Sequence, residues 1–140
     1  MPWLLLIHAA ATLFMTGLIW FVQIVHYPLL AEVGTANFAR YAQIHSSRTT
    51  LVVMPAMLLE LATVVALLAR VDVPRWMSWS GAALLAIVWL STFFLQVPRH
   101  GELAQGFQPA AQAALVATNW IRTIAWSLRA VLSLTMIRWV

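Results

Sequence analysis

Three histidines stand near the ends of apolar stretches in this sequence, where polar side chains could do chemistry. His26 lies in FVQIVHYPLL, His45 in AQIHSSR and His100 in PRHGEL, with Glu102 two residues further on. Imidazole and carboxylate groups are the ligands that zinc, copper and non-haem iron take in proteins. These four residues therefore form a candidate metal site. The alternative is that they lie at a lipid headgroup interface, where polar side chains are tolerated.

Two further pairs could act on a ligand or a proton. Asn119 and Arg122 are spaced by about one helical turn and could hydrogen-bond an anionic or carbonyl-bearing molecule, or else cap and anchor a helix end. Glu60 and Arg129 lie at similar depth in their apolar stretches. They form either a structural ion pair, because a buried carboxylate needs a partner, or a site for proton relay or ligand contact.

The candidate site residues fall into four groups by role. Arg48, Glu60, Asn119 and Arg122 are the candidate catalytic residues, and His26, His45, His100 and Glu102 the candidate metal ligands. Gln23, Tyr27, Gln96 and Trp126 are expected to contact substrate, and Trp89 is deep enough to line a pocket for a flat ligand. His8 and Arg129 are structural or linked to a cofactor, His8 being either a hydrogen-bonded interior histidine or an axial haem ligand.

The composition indicates the environment in which these residues must be placed. Of 140 residues, 63% are hydrophobic and 9% charged, whereas soluble domains carry about 25% charged residues. The eight basic residues are all arginine and are scattered, which argues against nucleic-acid binding. There is no cysteine, which excludes disulfides and thiol chemistry. The apolar amino terminus has no basic leader and is interpreted as a retained first span.

The hydropathy pattern predicts an all-α integral membrane protein, a single domain over 1–140 with four transmembrane helices and both termini on the same side. The spans cover about 3–27, 49–69, 77–97 and 118–137, near the ~20 residues that cross a bilayer. Pro28, Pro74 and Pro98 are expected to end helices. ANFARYAQIH either extends the second span or lies in the interface, VPRHGELAQGF is expected to be a loop, and the fourth helix is expected to begin near Ala110.

Each predicted span carries one polar stripe at helical spacing, and these stripes should face the interior of the bundle, because a charge exposed at mid-bilayer costs at least ~2.5–3.5 kcal/mol. Arg70, Arg75 and Arg138 lie on the same predicted side as both termini, which favours a cytoplasmic location for that side. We expect a bacterial inner-membrane protein.

Several stretches resemble one family of small bacterial four-span proteins. These are FVQIVHYPLL, HSSR, PAMLLE and NWIRTIAWSLRA, and the combination is similar to the anthrone-oxygenase-like membrane family, much of which has unknown function. The resemblance covers most of the chain and implies an oxidative role on a hydrophobic, often aromatic substrate. The family pattern falls on His26, His45, Arg48, Glu60, Asn119 and Arg122.

A second resemblance concerns LLIHAAATLFMTGLIW. Its early histidine, followed nine residues later by glycine, is similar to membrane protoporphyrinogen oxidases of the HemJ type, which bind haem. The later helices of the present chain lack the lysine-bearing pattern of that family.

Together these observations predict a membrane oxidoreductase of the oxygenase type that uses a suspected transition metal (iron, copper or zinc) on a hydrophobic small molecule. The alternatives are a haem-binding protein of the protoporphyrinogen-oxidase type and a small proton-coupled transporter centred on Glu60. The expected partners are the lipid bilayer and the hydrophobic ligand, with a homo-oligomer left open.

Overall fold

A computed structural model describes residues 2–139, in which every regular element is helical. The chain forms four long helices, which we number in order. α1 is an α-helix over Pro2–Phe21, a π-helical turn over Val22–His26, a further α-helical turn over Tyr27–Leu29 and a 3-10 turn over Leu30–Glu32. α2 spans Phe38–Leu68. α3 comprises Arg75–Ser91, a π-helical turn over Thr92–Gln96, and Val97–Leu103. α4 spans Pro109–Met136 and ends in a 3-10 turn over Ile137–Trp139.

The all-helical prediction is confirmed, but the helices are longer than the predicted spans. The segment ANFARYAQIH extends α2 outward from Phe38, and α4 begins at Pro109, next to its predicted start at Ala110. The expectation of a loop over VPRHGELAQGF is wrong for its first part, because Val97–Leu103 continues α3. Pro74 precedes α3, whereas Pro28 and Pro98 lie inside helices that continue past them.

Three of the helices, α1, α2 and α3, are long and apolar enough to cross a membrane. α4 does not meet the same hydropathy threshold within the described residues. Asn119, Arg122 and Arg129 lower its mean hydropathy, and all three side chains are buried inside the bundle. The sequence average of α4 therefore understates how apolar its outer surface is.

Side-chain hydrogen bonds show that neighbouring helices run antiparallel. His8 pairs with Thr63 and His26 with His45, so α1 and α2 run in opposite directions. The hydrogen bonds between α1 and α4 follow the same antiparallel order, and so do those between α3 and α4. The helices thus form a ring in chain order, and among neighbours in this ring α2 and α3 pack least closely.

Apolar residues define the two ends of this bundle. At what we call the lower end, a cluster joins all four helices and the α2–α3 turn, with the members Leu5, Leu67, Val73, Met77 and Met136. The larger cluster continues to the upper end, where the α1–α2 and α3–α4 loops lie, and includes Leu30, Phe38, Leu103 and Leu115. The candidate histidines at 26, 45 and 100 belong to the upper end.

The short turn between α2 and α3 is held by one exposed ion pair. The Arg70 Nε donates to Asp72 Oδ1 over 2.6 Å. This hydrogen bond from Arg70 lowers the pKa of the Asp72 carboxyl to about 2, so the turn keeps both charges at neutral pH.

Candidate functional site

Two π-helical turns determine which side chains face the interior near the upper end. In α1 the amide of Tyr27 bonds to the Val22 carbonyl, five residues back, and in α3 the amide of Val97 bonds to the Thr92 carbonyl in the same way. Each turn is followed after one residue by proline, Pro28 or Pro98. A proline ring clashes with the carbonyl four residues before it, and a wider turn relieves that clash without ending the helix.

The three predicted upper-end histidines come together across α1, α2 and α3. His26 Nε2 lies 2.9 Å from His45 Nδ1 in a direct hydrogen bond. The rings of His45 and His100 have centroids 5.4 Å apart. His100 Nε2 is 3.0 Å from the hydroxyl of Tyr27, and Tyr41 stacks on the outer side of His45 with centroids 6.4 Å apart.

This cluster does not reproduce the predicted four-ligand metal site. Two nitrogens bound to one zinc-like ion at about 2.0–2.1 Å lie roughly 3.3 Å apart, but His26 and His45 share a proton at 2.9 Å. Glu102 binds Arg99 instead, with Nη1 to Oε1 at 2.7 Å. Within residues 2–139, no group of three or more histidine, aspartate or glutamate side chains has an arrangement that could hold a metal ion. In the present geometry, these side chains bind one another.

A cleft of about 500 Å³ lies directly beside the cluster, between α2 and α3. Tyr27, His45 and His100 contribute to its upper wall. Deeper in the cleft the side chains are mainly apolar or aromatic and include Val53, Met54, Met57, Trp89, Phe93 and Val97. Ligand pockets of proteins have this volume and this combination of apolar walls with a few polar groups.

Arg122 of α4 contributes a buried positive charge to the cleft. The residue is only 8% exposed, and its guanidinium stands over the Trp126 ring at 5.6 Å. Among residues 2–139, its one hydrogen bond to another side chain runs from Nη1 to Thr92 Oγ1 and is long, at 3.4 Å, while the hydroxyl of Tyr27 lies close by. None of the ion pairs within the described part of the chain includes Arg122.

Several polar atoms of residues that line the cleft lack a partner among the described residues. They are His45 Nε2, Ser46 Oγ, Trp89 Nε1, Gln96 Oε1 and Arg122 Nε. Buried polar groups in proteins are normally hydrogen-bonded, so a concentration of exceptions in one place needs an explanation. These atoms are covered by neighbouring side chains, so a molecule in the cleft could bond to them only after those side chains move.

Gln23 and Asn119 are buried but lie behind the cleft rather than in its wall. Asn119 Nδ2 donates to Gln23 Oε1 over 2.8 Å, and Gln23 Nε2 donates to the Val116 carbonyl over 3.1 Å. These bonds tie α1 to α4. The structure thus places the predicted substrate contact at Gln23 and the predicted catalytic Asn119 in a helix–helix contact, where they support Arg122 one turn further on.

Glu60 and Arg129 form a separate buried layer below the cleft. The Arg129 Nη2 lies 3.0 Å from Glu60 Oε1, with side-chain exposures of 1% and 0%. Thr12 donates to the same oxygen and Trp126 Nε1 to Oε2 over 2.9 Å. Arg129 also donates to the carbonyl of Gly81. Donors from α1 and α4 thus enclose the carboxylate, and the Gly81 carbonyl of α3 accepts from the guanidinium, a geometry that favours a structural ion pair.

His8 and Arg48, two other predicted residues, also lie away from the cleft. His8 is 3% exposed and its Nδ1 is 2.9 Å from Thr63 Oγ1, in the layer next to Glu60. Arg48 is exposed and lines a smaller recess on the outside of α2 with Tyr41 and His45. Neither residue faces the unpartnered atoms of the cleft.

Comparison with known proteins identifies no relative of this chain. No family model matches the sequence, and neither a curated protein nor a solved structure matches it.

Sequence reasoning missed the apolar wall of the cleft and the two π-helical turns. Val53, Met54 and Phe93 look like ordinary lipid-facing residues in an apolar run, because hydropathy does not distinguish the wall of a cleft from the surface of a bundle. The π turns had one signal. Pro28 and Pro98 each follow an apolar run that ends in polar residues. The helical spacing of apolar residues continues after each proline.

Proposed function

We propose that the chain is a four-span membrane protein with both termini on one side. The side chains of α4 that are exposed between positions 117 and 134 are all apolar: Ala117, Trp120, Ile121, Ile124, Leu128, Val131 and Leu134. The polar residues of α4 face inward, so lipid would meet an apolar surface on this helix as on the other three. Arg70, Arg75 and Arg138 favour a cytoplasmic lower end.

Within this bundle we propose a membrane oxidoreductase of the oxygenase type, acting on a lipophilic small molecule in the α2–α3 cleft. The observation that carries the proposal is the position of Arg122, a buried cation without an acidic partner, next to Tyr27 and the histidines. A cation in that position would stabilise an oxyanion as it forms on a substrate. A neighbouring imidazole is the commonest general base in proteins.

The chemistry that fits these groups begins with removal of a proton next to a carbonyl or from a phenol. His45 or His100 would take the proton, and Arg122 would hold the resulting oxyanion. With dioxygen as the oxidant, a methylene can become a carbonyl, one oxygen atom entering the substrate and the other leaving as water with the two hydrogens. The anthrone-oxygenase-like resemblance supports this class of reaction.

A transition metal at the histidine cluster remains part of the proposal. His26, His45 and His100 are the side chains that could hold it after separation of the His26–His45 hydrogen bond. A bound metal would supply activation of dioxygen.

The test combines cofactor analysis with an activity measurement on protein purified in detergent and returned to lipid nanodiscs. Elemental analysis and a visible spectrum identify a metal or a Soret band, and oxygen uptake is then followed with lipophilic phenols and ketones. We expect uptake that His100→Ala and Arg122→Met reduce at least tenfold, while the matched exterior variant Arg40→Met retains it.

Other results would contradict the oxygenase. A Soret band of stoichiometric intensity that is lost in His8→Ala would identify the chain as a haem-binding protein instead. Substrate-linked proton movement lost in Glu60→Gln, with no oxygen uptake, would transfer it to a transporter.

A further inference from the structure

We propose that the cleft is a lateral binding site for a lipophilic weak acid, which enters from the bilayer between α2 and α3 and places its acidic oxygen beside the guanidinium of Arg122. The ligand class is a flat or extended apolar body with one phenolate, enolate or carboxylate head. This inference deepens the proposed function by naming the substrate class, and it concerns binding alone.

The entrance follows from how the helices pack. α2 and α3 form the least closely packed neighbouring pair, and the cleft lies in the seam between them. Phe93 and Val97 line the cleft and are 51% and 52% exposed on the outer surface of the bundle. A molecule dissolved in the hydrocarbon would therefore meet the apolar side chains of Phe93 and Val97 on the α3 side of the opening, while α2 contributes the polar Thr49 and Thr50 to the same cleft.

The head-group position follows from the charge of Arg122. Arg122 lines the cleft, and no ion pair among residues 2–139 includes it. A guanidinium can only donate hydrogen bonds, so a group that binds to it must be an acceptor. An anionic oxygen beside the guanidinium would neutralise a charge that no carboxylate of the described chain neutralises.

The walls of the cleft can pack against ligands of different shapes. Met54 and Met57 on α2 face Phe93 on α3 across the cleft. Methionine side chains are flexible and polarisable, and they pack against aromatic surfaces without demanding one outline. The volume of about 500 Å³ accommodates a ring system of several fused rings or a medium-length chain.

The experiment measures binding in nanodiscs without oxygen, so no turnover is needed. The probes are 9-anthroate and the neutral 9-anthracenemethanol, and empty nanodiscs correct for partition into lipid. We expect 9-anthroate to bind more tightly than the alcohol, with affinity reduced at least tenfold in Arg122→Met and less in Trp89→Phe. Arg40→Met, which removes an exposed arginine at the same end, should bind like the unaltered protein.

Lateral entry is tested separately by closing the seam. The chain has no cysteine, so Thr50→Cys/Val97→Cys can be bridged by a short bifunctional thiol reagent across the opening. Bridged protein should take up 9-anthroate at least tenfold more slowly than the same variant before bridging.

Three results would overturn the inference. They are equal affinities of Arg122→Met and the unaltered protein for 9-anthroate, equal losses in Arg122→Met and Arg40→Met, and unchanged uptake after bridging. Thermal unfolding of each variant identifies misfolded protein, and Trp89→Phe then provides the comparison. Tight, Arg122-dependent binding without oxygen uptake by any substrate would uphold this inference and reject the oxygenase.

Discussion

Arg122 and Arg129 are two turns apart on α4 and have opposite roles because their surroundings differ. Arg129 has a carboxylate at 3.0 Å, whereas Arg122 has only a long bond to a threonine hydroxyl. A buried pair strongly destabilises the fold when one partner is removed, because the other charge is left uncompensated. A single buried charge without a partner is itself a destabilising feature that persists where binding requires it.

Arg129→Met should therefore lower the free energy of unfolding by about 3–5 kcal/mol, since Glu60 would lose its cationic partner in the interior. Arg99→Met is the matched control, because its pair with Glu102 is 43% and 39% exposed and such pairs contribute about 0–1 kcal/mol. Reversible unfolding in mixed micelles measures both. Equal effects of the two variants would contradict the structural role of the Glu60–Arg129 pair, and Glu60→Gln/Arg129→Met should recover part of the loss.

Arg122→Met should have the opposite effect on stability. Replacing an unpaired buried guanidinium by a flexible apolar side chain removes a desolvated charge, so the midpoint of thermal unfolding should stay the same or rise. The same variant should lose 9-anthroate affinity. A large fall in the unfolding midpoint would mean that Arg122 supports the fold, and the binding proposal would then depend on Trp89→Phe.

At the residue level, the spacing of polar residues predicted which side chains face inward but not which helix interface each one occupies. His26, His45 and His100 share the upper end as predicted. Gln23 and Asn119 also face inward, yet they meet each other between α1 and α4 instead of meeting a substrate. The spacing and depth of polar residues describe a single helix. Which polar stripes border a cleft depends on the order of the helices around the ring.

The π-helical turns are the element-level feature that the sequence analysis missed, because proline in an apolar run is ordinarily read as the end of a helix. A π turn holds one residue more than an α turn, so it behaves as a one-residue insertion that leaves the helix on both sides in register. Deleting one lipid-facing residue within the turn should restore a regular helix. Deleting one residue elsewhere in α3 should rotate its two halves against each other by about 100°.

We therefore expect deletion of Phe94, which is 72% exposed inside the π turn, to preserve helicity and thermal stability. It should weaken 9-anthroate binding several-fold, because Gln96 and the neighbouring cleft residues lose their orientation. Deletion of Leu90, which is exposed in the regular part of α3, should unfold the protein or abolish its expression. Circular dichroism and the nanodisc binding assay distinguish the two. Similar behaviour of both deletions would contradict a functional π turn.

For the whole molecule, hydropathy and loop lengths predicted the helical class and the number of long helices. α4 is the helix that an average over the sequence describes least well, because its inward-facing polar residues hide its apolar outer face. The cleft could not be predicted from the sequence. It arises because the four helices pack unequally, and no sequence pattern indicates how far apart α2 and α3 lie.

The topology is testable because the chain has no cysteine of its own. Val71→Cys and Trp139→Cys should react with an impermeant maleimide only from the cytoplasmic side, and Thr35→Cys and Gln105→Cys only from the opposite side. All four positions are exposed in the structure. Labelling of Val71→Cys and Trp139→Cys from opposite sides would contradict four spans, and the two loop positions serve as each other's controls.

The two buried arginines of α4 also bear on how the protein is made. A helix that carries Arg122 and Arg129 is a poor substrate for insertion by itself, since each arginine at the bilayer centre disfavours insertion by about 2.5–3.5 kcal/mol. Glu60 of α2 and the Gly81 carbonyl of α3 receive Arg129 only when those helices are already in place. Under the proposed four-span topology, we therefore expect the first three helices to be in place before α4 is inserted.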